Sequence, residues 1–278
     1  MTAAFSAPQG FRHRRGFLAF HQGMPLLMGI LNATPDSFSD GGEFLKTGDA
    51  LRHAEEMIHQ GADILDVGGE STRPGFHGVS AQEEIARVVP VIRGIRQFSE
   101  IPISVDTSKA EVARAALEAG ADIVNDVRAC QDPGFPEVLR EFQPGVALMD
   151  DRSLPPDAVI PDDIREYLRL RRDALMETTG LPEDAFLLDP GVGFGKSDPQ
   201  NLQCIRFAAK FSLGKSGVLL GVSRKSYIGR LTGETDPKRR LPGTLASAIL
   251  ARGVQVLRVH DVAEHRQALL MAQLLDRA

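Results

Sequence analysis

Cysteine is nearly absent. Cys130 and Cys204 are the only two in 278 residues, too few for a disulfide framework and in no metal-ligand spacing. No apolar run approaches the roughly 20 residues that a membrane-spanning helix needs. The stretch Phe17-Leu18-Ala19-Phe20 follows Arg14-Arg15 but is cut by His21-Gln22-Gly23, which makes it too short for the apolar segment of a secretion signal. Positive charge is not in excess: the formal net charge is -5. That argues against a general nucleic-acid binder, because binding the phosphate backbone requires clustered cations. The one basic run, Arg12-His13-Arg14-Arg15, reads as a solvated surface turn. No Gly-x-Gly-x-x-Gly follows the first apolar segment, so the dinucleotide fingerprint is missing. A reduced, cytoplasmic protein with neither membrane nor nucleic acid as partner is the expectation.

Eight short apolar segments are present, each ending in polar chemistry. The first, Leu26-Leu27-Met28-Gly29-Ile30-Leu31, runs straight into Asn32 and then the turn residues Thr34-Pro35-Asp36-Ser37 and Asp40-Gly41-Gly42. Unbroken apolar runs of this length suit parallel strands covered on both faces. Others end at Asp66, Asp106, Asn125-Asp126, Asp150, Asp189, Ser223 and His260. Between them lie helical patterns at 49–60, 80–97, 108–119, 136–142, 162–179, 199–211, 242–252 and 262–277. Ser80-Ala81-Gln82-Glu83 reads as a capping box, Ser108 as an N-cap, and Gly120 and Gly180 as helix stops. Strict alternation with a polar group at nearly every strand end favours a closed (β/α)8 TIM barrel over an open sheet, whose site gathers at one switch point. The expected division is an N-terminal extension and hairpin over 1–23, capping the bottom, and one barrel over 24–278, with no second domain.

Two loops concentrate anion-binding chemistry. Asp66-Val67-Gly68-Gly69-Glu70-Ser71-Thr72-Arg73-Pro74-Gly75 combines three glycines, two hydroxyls and an arginine in one loop, so backbone N–H groups and a guanidinium fork can meet a phosphate or carboxylate. Asp189-Pro190-Gly191-Val192-Gly193-Phe194-Gly195-Lys196 is a weaker case. Asp106, Asn125 and Asp189, on three strand ends, suit a flat heterocycle rich in N–H donors. N-capping of the following helix is the competing reading, strongest for Asp106. Arg224, Lys225, Arg258 and His260 bring cations to the last two strand ends, where barrels commonly bind phosphate.

Taken with Leu31-Asn32-Ala33-Thr34-Pro35-Asp36-Ser37-Phe38, Leu188-Asp189-Pro190-Gly191, Ser223-Arg224-Lys225-Ser226 and Arg258-Val259-His260-Asp261, these motifs resemble those of the dihydropteroate synthases, in order and spacing from about Met24 to the C-terminus. The resemblance implies a transferase that joins 6-hydroxymethyl-7,8-dihydropterin pyrophosphate to 4-aminobenzoate in folate synthesis, with Mg²⁺ as cofactor and a homodimer as assembly. It implies pterin contacts from Asp106, Asn125, Met149, Asp189 and Lys225. It implies Asn32 at the Mg²⁺, and Asn32, Thr72, Arg258 and His260 at the pyrophosphate. An aminobenzoate pocket follows from Phe38, Thr72, Arg73, Pro74, Phe194, Arg224 and Ser226. Asp106, Lys225, Arg258 and His260 would carry the chemistry, and sulfonamides would compete with aminobenzoate.

One departure stands out. After the fifth strand, where the family has Met-His-Met or a similar triplet, this chain has Met149-Asp150-Asp151. Two inward carboxylates would disfavour a dianionic substrate. Facing solvent, they would mark only a variable loop. The pair motivates one alternative, a non-catalytic or altered-specificity pterin-binding paralogue; the other rival is a pterin-binding methyltransferase module, which shares the pterin pocket but has no use for the Thr-Arg-Pro loop.

Overall fold

The computed structural model describes residues 8–21, 23–33, 43–70 and 78–277. Eight parallel strands close a barrel: β3 (Leu26–Asn32), β4 (Ile64–Gly68), β5 (Ile103–Asp106), β6 (Ile123–Asp126), β7 (Gly145–Met149), β8 (Phe186–Asp189), β9 (Gly217–Gly221) and β10 (Val256–Val259), which pairs back onto β3. The helices α1 (Glu43–His59), α2 (Ala81–Ile95), α3 (Ala110–Ala119), α4 (Phe135–Phe142), α5 (Asp162–Thr179), α6 (Asp198–Arg206), α7 (Ser226–Thr232), α8 (Leu241–Leu250) and α9 (Val262–Asp276) follow the strands one to each, except that α7 and α8 both lie between β9 and β10. An antiparallel hairpin, β1 (Gly10–His13) and β2 (Gly16–Ala19), precedes the barrel. The expected single TIM barrel with an N-terminal hairpin is the fold.

Strand outer faces and helix inner faces merge into one apolar layer that includes Leu27, Leu31, Leu65, Val105, Val124 and Leu188. A second, separate cluster fills the barrel itself: Leu26, Met28, Ile64, Ile123, Ala147, Leu187, Leu219 and Val256, closed from below by Phe11 of β1. Gly145 makes room for that plug, since a Cβ there would lie 2.5 Å from the Phe11 ring.

The basic run forms the exposed turn of the hairpin, as expected, and is also ion-paired. Arg15 Nε donates to Asp122 at 2.6 Å and Arg96 donates to the same carboxylate at 2.5 Å. The Ile103 N–H adds a third donor at 2.9 Å. Burial alone would raise Asp122, but its donors hold its pKa below the ordinary carboxylate value. Arg12 pairs with Asp184 at 3.0 Å. These partners lie far off in sequence, so charge composition alone does not show the pairing.

Several local expectations shift. The capping box at Ser80 and Glu83 forms, as do the left-handed glycine stops at Gly120 and Gly180. Ser108 is not the N-cap of α3. Lys109 holds that place without a side-chain bond; Thr107 Oγ1 accepts the Lys109 N–H at 3.2 Å and Asp132 accepts the Ala110 N–H at 3.3 Å. The pattern over 199–211 is α6 broken at Phe207 and followed by a 3-10 turn, Ala208–Phe211.

Candidate active site

Alternation along the strands turns the apolar filling into a polar mouth. Side chains point inward at every second residue, so each strand contributes its next inward group two positions above the filling. These are Asp66 above Ile64, Asn125 above Ile123, Met149 above Ala147, Asp189 above Leu187 and Arg258 above Val256. In register, Asp66 lies beside Ser104, Asp106 beside Asn125, and Met149 beside Asp189. At the top of β4, Gly68 leaves the opening clear: a Cβ there would meet Asp106 Cβ at 3.6 Å and Asn32 Oδ1 at 4.0 Å. The strand-end acids and amides thus converge, and Asp106 is no N-cap.

One guanidinium ties the layer together. Arg258 Nε donates to Asp66 Oδ2 at 2.6 Å and its Nη2 to Asp106 Oδ2 at 2.5 Å, while Asn125 Nδ2 donates to Asp66 Oδ2 at 3.2 Å. Burial opposes the Arg258 charge, but Asp66 and Asp106 outweigh it and raise its pKa. For Asp106 burial dominates, so that even with Arg258 beside it the carboxyl is pushed up to about 7. Asp66 is the residue that the sequence reading left out of its site. Its position two beyond Ile64 is the signal that finds it.

The opposite wall is built from Asp189 and Lys225. Burial raises Asp189 to about 6, against the Gly191 N–H that it accepts at 2.8 Å and the Lys225 charge. Burial lowers Lys225 to about 8, with Asp189 pulling the other way. The Lys225 ammonium sits 4.0 Å from the centre of the Phe194 ring. The loop carrying Phe194 bends through Gly191 at φ +72°, where a Cβ would strike the Asp150 carbonyl oxygen at 2.0 Å. Lys196, in the same loop, is no anion ligand, because its Nζ donates to the carbonyls of Asp150 at 2.7 Å and Phe194 at 3.2 Å.

His260 sits beside Ser223, whose hydroxyl is 2.9 Å from Nδ1 and accepts the His260 N–H at 3.2 Å. Arg224 turns to Asp261, donating from Nε at 3.0 Å, and Ser226 Oγ accepts from Arg230 at 3.1 Å. Both therefore reach the rim already bonded. Phe38, Thr72, Arg73 and Pro74 lie outside the described residues. The stem of their second loop is held by Arg87, which donates to the Gly69 carbonyl at 2.8 Å, and by Lys109 between Glu70 and Glu84.

Of the two unusual carboxylates, Asp151 is half-buried near Asp126, whose carboxyl burial, and then the Asp151 charge, raise to about 6, and Asp150 does not enter the mouth. It follows inward-facing Met149, so alternation turns it outward, where it is fully buried. There Arg152 clamps it with Nε at 2.9 Å and Nη2 at 2.7 Å. Its charge is neutralised within two residues.

Among the described residues, no three His, Cys, Asp or Glu side chains form a metal cage. Asn32 offers one hard amide oxygen at the opening. That fits Mg²⁺, which commonly takes one or two protein oxygens and completes its shell with water and substrate phosphates.

Residues 28–260, the closed barrel with its polar mouth, match the family described as pterin binding enzyme. Dihydropteroate synthase from Escherichia coli K12 is 44% identical over 257 residues, covering 90% of this chain and 91% of its own length. Dihydropteroate synthase from Xanthomonas albilineans with 4-aminobenzoic acid superposes with TM-score 0.88 at 40% identity, over 96% of this chain and 98% of that one. The Yersinia pestis enzyme in a sulfonamide drug complex gives TM-score 0.87 at 37% identity, over 97% and 100%. The chain belongs to the dihydropteroate synthase family.

Proposed function

We propose that this chain condenses 6-hydroxymethyl-7,8-dihydropterin pyrophosphate with 4-aminobenzoate, giving 7,8-dihydropteroate and pyrophosphate. The carrying observation is the inward layer in which Asp106, Asn125, Asp189, Lys225 and Arg258 share one buried electrostatic cluster above a sealed apolar filling. The pterin ring lies against Met149. Its N–H donors go to the oxygens of Asp106, Asn125 and Asp189, while Lys225 donates to a ring acceptor. Arg258, His260 and Thr72 hold the diphosphate. Asn32 would be the protein contact of a bound Mg²⁺, which would supply Lewis-acid neutralisation of the leaving diphosphate.

As the C–O bond to the diphosphate breaks, Arg258 and His260 meet the growing negative charge on its oxygens. Asp106 stabilises the positive charge left on the pterin, and the weakly nucleophilic aniline nitrogen then attacks without need of a strong base. Phe194, Arg224 and Ser226, with Phe38, Thr72, Arg73 and Pro74, shape the aminobenzoate pocket. Closing that pocket excludes water, whose attack would waste the pterin cation. Asp150 gives no support to a non-catalytic role, because Arg152 neutralises it. Sulfonamides compete with aminobenzoate, a reading that the Yersinia pestis complex supports. The buried thiols of Cys130 and Cys204 suit a reducing cytoplasm. The working unit is a homodimer through α8 and α9, where Leu250, Leu270, Met271, Leu274 and Leu275 stand exposed; sedimentation as a monomer at micromolar concentration would overturn that assignment.

The decisive experiment mixes pure protein with the pterin diphosphate, 4-aminobenzoate and Mg²⁺. Release of pyrophosphate that depends on aminobenzoate is expected, with dihydropteroate formed in equal amount. Tight pterin binding without release would establish the non-catalytic paralogue instead.

A further inference from the structure

Asp66 stands at the centre of the polar layer and has no assigned task. Its side chain is fully buried. Its Oδ2 accepts both Arg258 Nε and Asn125 Nδ2, while its Oδ1 is buried without a hydrogen-bond partner among the described residues. A carboxylate buried with one oxygen unsatisfied is costly. An apolar side chain, such as Ile64 one inward position below, would serve packing better. The charge therefore has its use in what it holds. It grips Arg258 by the Nε edge and leaves the Nη edge pointing along the mouth toward Asp106.

We propose that Asp66 is the positioning residue for diphosphate capture: it anchors Arg258 by Nε so that the Nη groups can pass from Asp106 to the substrate's diphosphate, and it turns the Asn125 amide oxygen toward the pterin. In this structure the same guanidinium bridges two carboxylates from adjacent strands. When the substrate enters, the Asp66 bond stays, the Asp106 bond is exchanged for phosphate oxygen, and the freed Asp106 carboxylate takes the ring donors. Substrate binding then needs no rotation about the inner torsions of Arg258, because the pivot is already fixed. The proposal rests on the assignment of Arg258 and Asn125 to the diphosphate and pterin given above.

The test is Asp66→Asn, which keeps the size and one acceptor oxygen but loses the charge. Losing a charge-assisted bond predicts a fall of about 10- to 100-fold in kcat/KM for the pterin diphosphate, with KM for 4-aminobenzoate within about twofold of wild type. In an Arg258→Ala background the same change should cost less than about threefold, since the residue acts mainly through that arginine. Equal losses for both substrates, or full additivity with Arg258→Ala, would overturn the proposal, and so would unchanged kinetics. If Asp66→Asn does not fold, Asp66→Ser, which leaves a hydroxyl and space for water, should give the same selective loss. If the wild-type chain itself releases no pyrophosphate, the functional reading fails first. Calorimetry with inorganic pyrophosphate then still decides the matter: equal affinity of wild type and variant would overturn the positioning role.

Discussion

Replacing Arg152 by alanine should unfold the chain measurably while leaving its chemistry nearly untouched. Asp150 is fully buried and depends on Arg152 for three donors: the backbone N–H at 3.0 Å, Nε at 2.9 Å and Nη2 at 2.7 Å. The alanine variant keeps only the first. Removing one partner of a buried ion pair costs about 3–5 kcal/mol. The Arg152 side chain is 38% exposed, so water replaces part of what is lost, and about 2–3 kcal/mol is expected. For a chain of this size that lowers Tm by about 4–12 °C.

The guanidinium also lies 3.9 Å from the Tyr167 ring centre, which contributes up to about 1 kcal/mol on its own. A double-mutant cycle with Asp150→Asn separates the two. Asp150→Asn alone should cost about 1 kcal/mol, and the double variant should fall short of the sum by about 1.5 kcal/mol. Urea unfolding followed by circular dichroism reads all four proteins. Turnover of Arg152→Ala should stay within about threefold of wild type, because the pair faces away from the mouth. A cost for Arg152→Ala under about 0.5 kcal/mol, or strict additivity, would refute the claim that this pair is a buried neutralising clamp. By the same reasoning, changing Asp150→His with Asp151→Met strands Arg152 and loses stability instead of gaining turnover.

The pH profile of kcat/KM for the pterin diphosphate should be bell-shaped. Burial raises Asp106 to about 7 and Asp189 to about 6, so both lose their accepting charge as pH falls through that range. Lys225, lowered by burial to about 8, loses its proton above that value. A flat profile between about pH 5.5 and 9 would contradict these assignments. Phe11→Ala should cost about 3–5 kcal/mol by opening the barrel floor, with both KM values unchanged in steady-state assays; a loss under about 1 kcal/mol would mean that the hairpin does not seal the core. Gly191→Ala forces a Cβ into the Asp150 carbonyl at 2.0 Å, displaces the loop that carries Phe194, and should lower kcat/KM by about 10- to 100-fold; near wild-type kinetics would show that the loop can yield freely.

The barrel was legible because buried parallel strands announce themselves as short apolar runs that end abruptly in polar residues, and all eight did so. The mouth was legible for the same reason: Asp106, Asn125 and Asp189 are the residues at which those runs stop. Asp66 was overlooked because it was weighed as the opening of a glycine-rich loop, although its parity with Ile64 puts it in the same inward layer. The hairpin's basic run is legible as a surface turn but its pairing is not, because the partners are remote: Arg15 and Asp122 are 107 residues apart, and no local pattern predicts that contact. Asp150 raised a concern for a related reason. Arg152, two residues on, was in plain view, but a side chain's direction at the end of a strand depends on register, which only the pairing of Met149 with Asp189 fixes. The α3 N-cap falls at Lys109 and not at Ser108, with Thr107 and Asp132 accepting the first free N–H groups, because the backbone, not the residue type, decides which oxygen reaches them.

The charge states of the mouth oppose the stability of the empty barrel. A carboxyl raised on folding, such as Asp189 at about 6, contributes stability that is present below its ordinary value of 3.8 and lost as pH rises through 6. A lysine depressed on folding, such as Lys225 at about 8, contributes stability that is present above 10.5 and lost as pH falls through 8. Between about pH 6 and 8 both groups therefore cost the ligand-free protein stability, in the window where their charges are needed to bind a pterin. The offset lies at the other end of the strands, where Phe11 seals an apolar filling and Asp122 locks the hairpin with Arg15 and Arg96. A ring that brings matching donors and acceptors relieves the upper layer without touching the lower one, so its binding should raise Tm most near neutral pH and progressively less toward pH 5.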